Sequence, residues 1–268
     1  MNSRRGFLKA GLAAAGGALC IEKLATAAPT TGEAPTLGLI FPPAGRPVPE
    51  EGLIMYPHSV HFIVEDLGLE TMTPAGYDKV LDRIAPASQK LAQRGAKAIV
   101  LMGTSLSFYK GAEFNEKLTE SMKKATGLPA TTMSSAVVEG LRTVGGKHLA
   151  VATAYNDEVN DRLRTFLKES GFDVMVVKGL GIEKVEDVNN VTQAGLIQFS
   201  ASVHGQAPKS NAMLVSCGGL RTLEIIAPLE KQTKVPVVSS TPHALRAGAR
   251  LLGLDGKATG FGTLLAKV

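Results

Sequence analysis

A chain of 268 residues, 44% of them hydrophobic, is long enough for one large domain or two small ones. Its formal charge of +5 falls to +2 once Arg4, Arg5, Lys9 and Lys23 are removed together with Glu22, so the basic balance belongs to the N-terminus and makes no case for nucleic-acid binding. No apolar segment after residue 28 is long enough to cross a bilayer.

The opening "MNSRRGFLKAGLAAAGGALCIEKLATAA" has the layout of an export signal. Ser3, Arg4, Arg5, Gly6, Phe7, Leu8 and Lys9 resemble the twin-arginine consensus, a weakly apolar run follows, and Ala25, Thr26 and Ala27 supply an A-x-A cleavage site. Residues 1–27 are therefore expected to be cleaved, with the twin-arginine translocation machinery as a partner and the periplasm as destination. The run from Gly11 to Ile21 is too short and too rich in Gly for a membrane span of ~20 residues, so no stable membrane anchor is expected. Cys20 falls in the signal, after a Leu19 larger than lipoprotein cleavage sites take. The mature chain then keeps only Cys217, which excludes an intramolecular disulfide.

Past the signal, short β-branched runs alternate with stretches of helical period, the pattern of α/β units around mostly parallel sheets. The first strand is expected over Thr36–Phe41. A helix follows in "TPAGYDKVLDRIAPASQKLAQRG", with Thr73 as N-cap, Pro74 at the first helical position, a kink or break at Pro86 and a stop at Gly95. Strands come next over 97–103 and 148–154. In "NDEVNDRLRTFLKESG" a helix runs from a capping Asn156 to Gly171 and turns Val159, Leu163, Phe166 and Leu167 to one face. Further strands are expected over 173–177, 212–216 and 235–239.

An internal repeat organises these elements. "AIVLMGTSLSFY" (98–109) matches "AMLVSCGGLRTL" (212–223), and "GLPATTMSSAVVEGLRTVG" (127–145) matches "KVPVVSSTPHALRAGARLLG" (234–253). The expected fold is α/β, with two similar halves over 36–145 and 146–264, each built on a mostly parallel four-stranded sheet and related by a pseudo-two-fold. Elements are free to swap across the boundary, and the active site lies between the halves. Ligands in open α/β sheets sit beyond the carboxyl ends of the strands. Gly103-Thr104-Ser105 and Cys217-Gly218-Gly219 both stand there, each expected to end a strand, open a helix and offer free N–H groups to an oxygen anion.

Several chemistries lack their motifs. There is no G-x-S-x-G, no G-x-G-x-x-G after a strand and no G-x-x-x-x-G-K-[ST]. His58 and His61 have no Cys, His or carboxylate cluster around them, and His148, His204 and His243 are scattered. No metal and no organic cofactor are expected. What remains is one thiol facing hydroxyls across a pseudo-dyad.

"LMGTSLSFY", "TGLPATTMSS", "VATAYNDEVN", "SCGGL" and "VPVVSS", with "FPPAG", "MYP" and "LGLETMTPAGYD" before them, together resemble the arylmalonate decarboxylases of the aspartate/glutamate racemase superfamily, over residues 36–264. Racemases and maleate isomerases of that superfamily are known for two opposed cysteines, one per half, and here Gly103 stands where the first would be. The resemblance implies cofactor-free decarboxylation of an α-aryl or alkenyl malonate to one enantiomer of the monoacid, through an enediolate protonated by Cys217. It also implies a dioxyanion hole made by the hydroxyls of Thr104, Ser105 and Tyr155 with the N–H groups of Ser105, Cys217 and Gly218. The departing carboxylate would sit among Pro43, Leu69, Met72, Tyr77, Val185 and Val188, and Pro42, Gly103 and Gly219 complete the substrate-binding set. Val188 stands where better-known members carry Met, and Met72 where they carry Val. Two other readings stay open on the residues alone: a one-thiol isomerase or racemase-like enzyme acting on another dicarboxylate, and a non-catalytic periplasmic carboxylate-binding protein.

Overall fold

Runs in which nearly every side chain is apolar, such as TLGLIF and AMLVS, suit strands covered on both faces. The computed structural model, which describes residues 33–267, puts both runs at inner positions of parallel sheets. The export segment expected over residues 1–27 lies outside the described residues. Strands β1 (Thr36–Phe41), β2 (His61–Asp66), β3 (Ala98–Leu101) and β4 (Ala130–Thr132) form one sheet in the order β2-β1-β3-β4. Strands β5 (His148–Thr153), β6 (Asp173–Gly179), β7 (Ala212–Ser216) and β8 (Val237–Ser239) form the other in the order β6-β5-β7-β8. Every pairing is parallel. Because the orders correspond, β3 and β7 hold equivalent places, and the residues that follow them include Gly103 and Cys217.

The six expected strands all form, with ends shifted by a few residues, and two more appear. β2 lies at a sheet edge, where HFIVED stays partly exposed and polar at both ends. β4 has three residues, too few to establish an alternation. Thr73 caps its helix, its hydroxyl accepting from the Gly76 N–H at 3.2 Å. That helix breaks earlier than expected: Pro74–Asp78 is followed by a 3-10 turn and then Ile84–Gln93. Pro86 is the third residue of the latter, where its missing N–H has no intrahelical partner to lose. Asn156 caps Asp157–Glu169 through Val159 N–H at 3.1 Å, and Val159, Leu163, Phe166 and Leu167 are buried as the periodicity requires.

Helices cross between the sheets. The last one, Ser240–Leu251, follows β8 yet packs on Met133–Thr143 and on β3 and β4. Gly248 makes this approach possible, since a Cβ there would lie 2.5 Å from Leu37 Cδ2. Both sheets lie in one compact unit, and their strand ends meet: a Cβ on Gly218 would stand 3.1 Å from the Met102 carbonyl oxygen.

Candidate active site

One cavity lies where the chain leaves β1, β3 and β7. Pro42 and Pro43 enter it from β1, Met102 to Ser105 from β3, and Cys217 to Gly219 from β7. Two further segments close it. Met72 N–H donates to the Glu183 carbonyl at 2.9 Å, and Thr71 and Lys184 form an antiparallel bridge, so Leu69 and Met72 stand against Val185 and Val188. Twelve of the fourteen expected site residues line this one cavity. Tyr77 and Tyr155 do not: both are buried behind its wall.

Cys217 follows β7 directly and is 3% exposed. Burial pushes its thiol above the ordinary value, against the opposing pull of the Gly219 and Leu220 N–H groups and the Arg46 charge. The thiol is therefore protonated at neutral pH. The turn after it differs from the sequence expectation. Cys217 to Thr222 form a loop closed by Leu220 N–H donating to the Cys217 carbonyl at 3.2 Å, and the helix begins only at Leu223. Two consecutive glycines are poor helix starters, which explains the delay. A second departure concerns the Cys217 amide, expected to face an anion. It donates instead to the Ser240 hydroxyl at 3.2 Å.

The opposite turn matches the expectation. Gly103 precedes the short helix Thr104–Phe108, which places the Ser105 N–H in a first turn with no intrahelical acceptor. Ser107 and Ser134 hold this turn by hydrogen bonds to the Gly103 and Thr104 carbonyls at 2.8 and 2.9 Å. A side chain at 103 has no room: its Cβ would stand 2.4 Å from Pro42 Cγ. The half that lacks a thiol thus has that space filled by proline.

Hydroxyls converge between the turns. Thr104 Oγ1 lies 2.8 Å from both Ser240 Oγ and Met133 Sδ. The Tyr155 hydroxyl is 3.3 Å from Ser216 Oγ and close to Thr104. Its backbone is fixed by Thr153 Oγ1, which accepts from Tyr155 N–H at 3.1 Å, and by Asn160, which donates to its carbonyl at 3.3 Å. Tyr77 packs edge-on against Tyr109, and its hydroxyl stands beside Ser105 without a hydrogen-bond partner. Burial raises both phenols above the usual tyrosine value, so each keeps its proton. Among the described residues no group of three or more His, Cys, Asp or Glu is placed to hold a metal.

Sequence reasoning assigned no role to Phe41, Arg46, Met102, Met133, Ser240, Thr241 or Glu51. Ser240 and Thr241 support the thiol turn, the latter donating to the Gly218 carbonyl at 3.1 Å; the repeat, which aligns "ATTMS" with "VVSST", marked that segment. Glu51 carried no such signal. Its Oε1 accepts from the Thr222 and Leu223 N–H groups at 2.9 and 3.2 Å, anchoring the far end of the thiol loop to the first half.

Burial pushes the Glu51 carboxyl up to about 7, more than those two N–H groups and Arg221 lower it, with Glu224 adding to the rise. A carboxyl whose pKa is higher folded than unfolded stabilises the fold fully below the unfolded value of 4.5, and that contribution is lost as pH rises through 7. The loss amounts to about 3 kcal/mol. Glu51→Gln keeps an acceptor for both N–H groups but cannot ionise. Urea midpoints at pH 4 and pH 8 are expected to show this pH-dependent loss in the wild type and its absence in the variant. An equal pH response in both proteins would refute the assignment.

Comparison with known proteins fits this geometry. The model of the family described as arylmalonate decarboxylase matches residues 37–265. The chain is 46% identical to arylmalonate decarboxylase of Bordetella bronchiseptica over 231 residues, covering 86% of this chain and 96% of that one. It is 24% identical over 169 residues to maleate isomerase of Pseudomonas putida strain KT2440, covering 63% and 66%. Among solved structures, unliganded arylmalonate decarboxylase superposes with a TM-score of 0.79 at 45% identity, covering 87% of this chain and 99% of that one. The liganded form of a mutant in which a glycine became cysteine and a cysteine became serine gives 0.84 at 45% identity, covering 86% and 98%. The maleate isomerase of Pseudomonas putida S16 gives 0.81 at 19% identity, covering 87% and 99%, a likeness of fold.

Proposed function

The chain belongs to the arylmalonate decarboxylase family and is a carboxy-lyase, and from that premise we propose that Cys217 protonates the carbanion left when an α-aryl or alkenyl malonate loses CO2. The supporting observation is the asymmetry of the cavity: a buried, protonated thiol after β7, and after β3 a glycine packed against Pro42.

One carboxylate of the substrate lies against the Thr104 and Ser105 hydroxyls and the Ser105 and Gly218 N–H groups, with the Tyr155 hydroxyl supporting Thr104. The other lies among Leu69, Met72, Val185 and Val188, where an ionised group is poorly solvated and leaves as neutral CO2. The C–C bond pair passes into the remaining carboxylate, giving an enediolate whose growing oxygen charge those donors hold. The Cys217 S–H proton then moves to carbon, and the thiolate regains a proton from water. A proton source on one face gives one enantiomer.

Incubation with phenylmalonate is expected to release CO2 and phenylacetate, and 2-methyl-2-phenylmalonate to give one enantiomer of 2-phenylpropanoate. Absence of CO2, or a racemic product, would overturn the proposal.

Residues 1–27 are proposed to carry the folded enzyme through the twin-arginine machinery to the periplasm, on the strength of the paired Arg4 and Arg5 and the A-x-A site. Cell fractionation tests this. Activity in the periplasm that moves to the cytoplasm when both arginines become lysine is the expected result, and cytoplasmic activity in both cases would refute it.

A further inference from the structure

Arg46 is the one charged residue among those lining the cavity. Its loop, Pro42-Pro43-Ala44-Gly45-Arg46-Pro47, is stiffened by three prolines. It is also tied down by the Gly45 N–H, which donates to Asp66 Oδ2 at 3.3 Å. The guanidinium lies over the bare backbone of the thiol turn, where Nη2 would be 3.2 Å from a Cβ on Gly219. Its hydrogen bond to protein is a long one, Nη1 to Asn189 Oδ1 at 3.4 Å. Among the described residues no carboxylate stands within ion-pair distance of it. A guanidinium has five N–H donors in a planar fork suited to carboxylates, so most of this fork, on a residue that lines the cavity, is uncommitted.

Neither malonate carboxylate is a good match for it. The one that stays has the Thr104 and Ser105 turn. The one that leaves would be held back by a cation, because an ion pair stabilises the ionised ground state and not the CO2 it becomes. With both carboxylates so placed, the α-substituent is left to the rest of the cavity lining, which includes the half-buried Arg46. We propose that Arg46 is a specificity residue that receives a carboxylate or similar anionic acceptor carried on the outer end of the substrate's aryl group. This inference rests on the decarboxylase reading for the placement of the malonate. A preorganised fork on a stiff loop loses little entropy in making that contact.

The test compares phenylacetate with 4-carboxyphenylacetate by calorimetry, in wild type and in Arg46→Gln and Arg46→Lys. The two acids differ only at the outer end. Wild type is expected to favour the carboxylated acid about tenfold, Arg46→Gln to lose that preference, and Arg46→Lys, which keeps charge but not the fork, to retain part of it. The same ratio is read from kcat/KM for phenylmalonate and 4-carboxyphenylmalonate. An equal preference in wild type and Arg46→Gln overturns the proposal, as does an equal weakening of both ligands, which would place Arg46 on the common carboxylate. CO2 release without an Arg46-dependent preference sinks this inference alone. An Arg46-dependent preference in binding with neither malonate decarboxylated sinks the decarboxylase reading and leaves the anion contact standing.

Discussion

Cys217→Ser is expected to lower kcat for phenylmalonate by about 10²- to 10⁴-fold, the usual contribution of a positioned proton donor, while KM changes much less. Serine nearly matches cysteine in shape, so the thiol loop, held by Ser240, Thr241 and Glu51, keeps its anchors. What changes is acidity. A hydroxyl is a far weaker acid than a thiol, even one raised by burial, and cannot deliver its proton at a comparable rate. Any residual product from 2-methyl-2-phenylmalonate should be of lower enantiomeric purity, because the proton then comes from water and not from one positioned thiol. Unchanged turnover, or undiminished enantiomeric purity, would remove the thiol from the mechanism.

The pH profile carries the same claim in sign. The protonated thiol is the working form, and burial moves its pKa upward from 9.0. The thiol-dependent limb of kcat is therefore flat through neutrality and falls only in alkaline solution. The Cys217→Ser protein should lack that alkaline limb.

Much of this molecule can be read from its sequence, for reasons that differ by element. Inner strands announce themselves because parallel strands covered on both faces are apolar nearly throughout, as Ala212–Ser216 is but for its last residue. The edge strand His61–Asp66 and the three-residue Ala130–Thr132 escape notice because one is half solvated and the other too short. Gly103 and Cys217 were found through the repeat, since equivalent strand order forces equivalent strand ends together. Glu51 was invisible because a carboxylate in a short helix looks like surface, and only the fold brings it to an amide 171 residues away. Tyr77 and Tyr155 stand one layer back from the cavity surface. Sequence marks them as part of the site, but their burial behind Ser105 and Thr104 is a matter of packing.

Thr104→Val is expected to reduce kcat about 10²- to 10³-fold, equivalent to about 2.7–4 kcal/mol of transition-state stabilisation for one oxyanion donor. The Thr104 hydroxyl has a single proton, and two protein acceptors at 2.8 Å, Ser240 Oγ and Met133 Sδ, compete for it. A substrate carboxylate is the stronger acceptor, since charge-assisted bonds exceed neutral ones, and its charge grows as CO2 leaves. Valine keeps the volume and removes the proton, so binding of the neutral parts of the substrate persists while the enediolate goes unsupported. Thr104→Ser restores the hydroxyl and should recover most of the rate. Ser240→Ala separates the donor from its support. It leaves the Thr104 hydroxyl in place but deprives the Cys217 amide of its acceptor, so enantiomeric purity should suffer more than kcat. If Thr104→Val stays within about threefold of wild type, far short of a lost oxyanion donor, the anion is held elsewhere, and the opposition of the two turns is a feature of packing rather than catalysis.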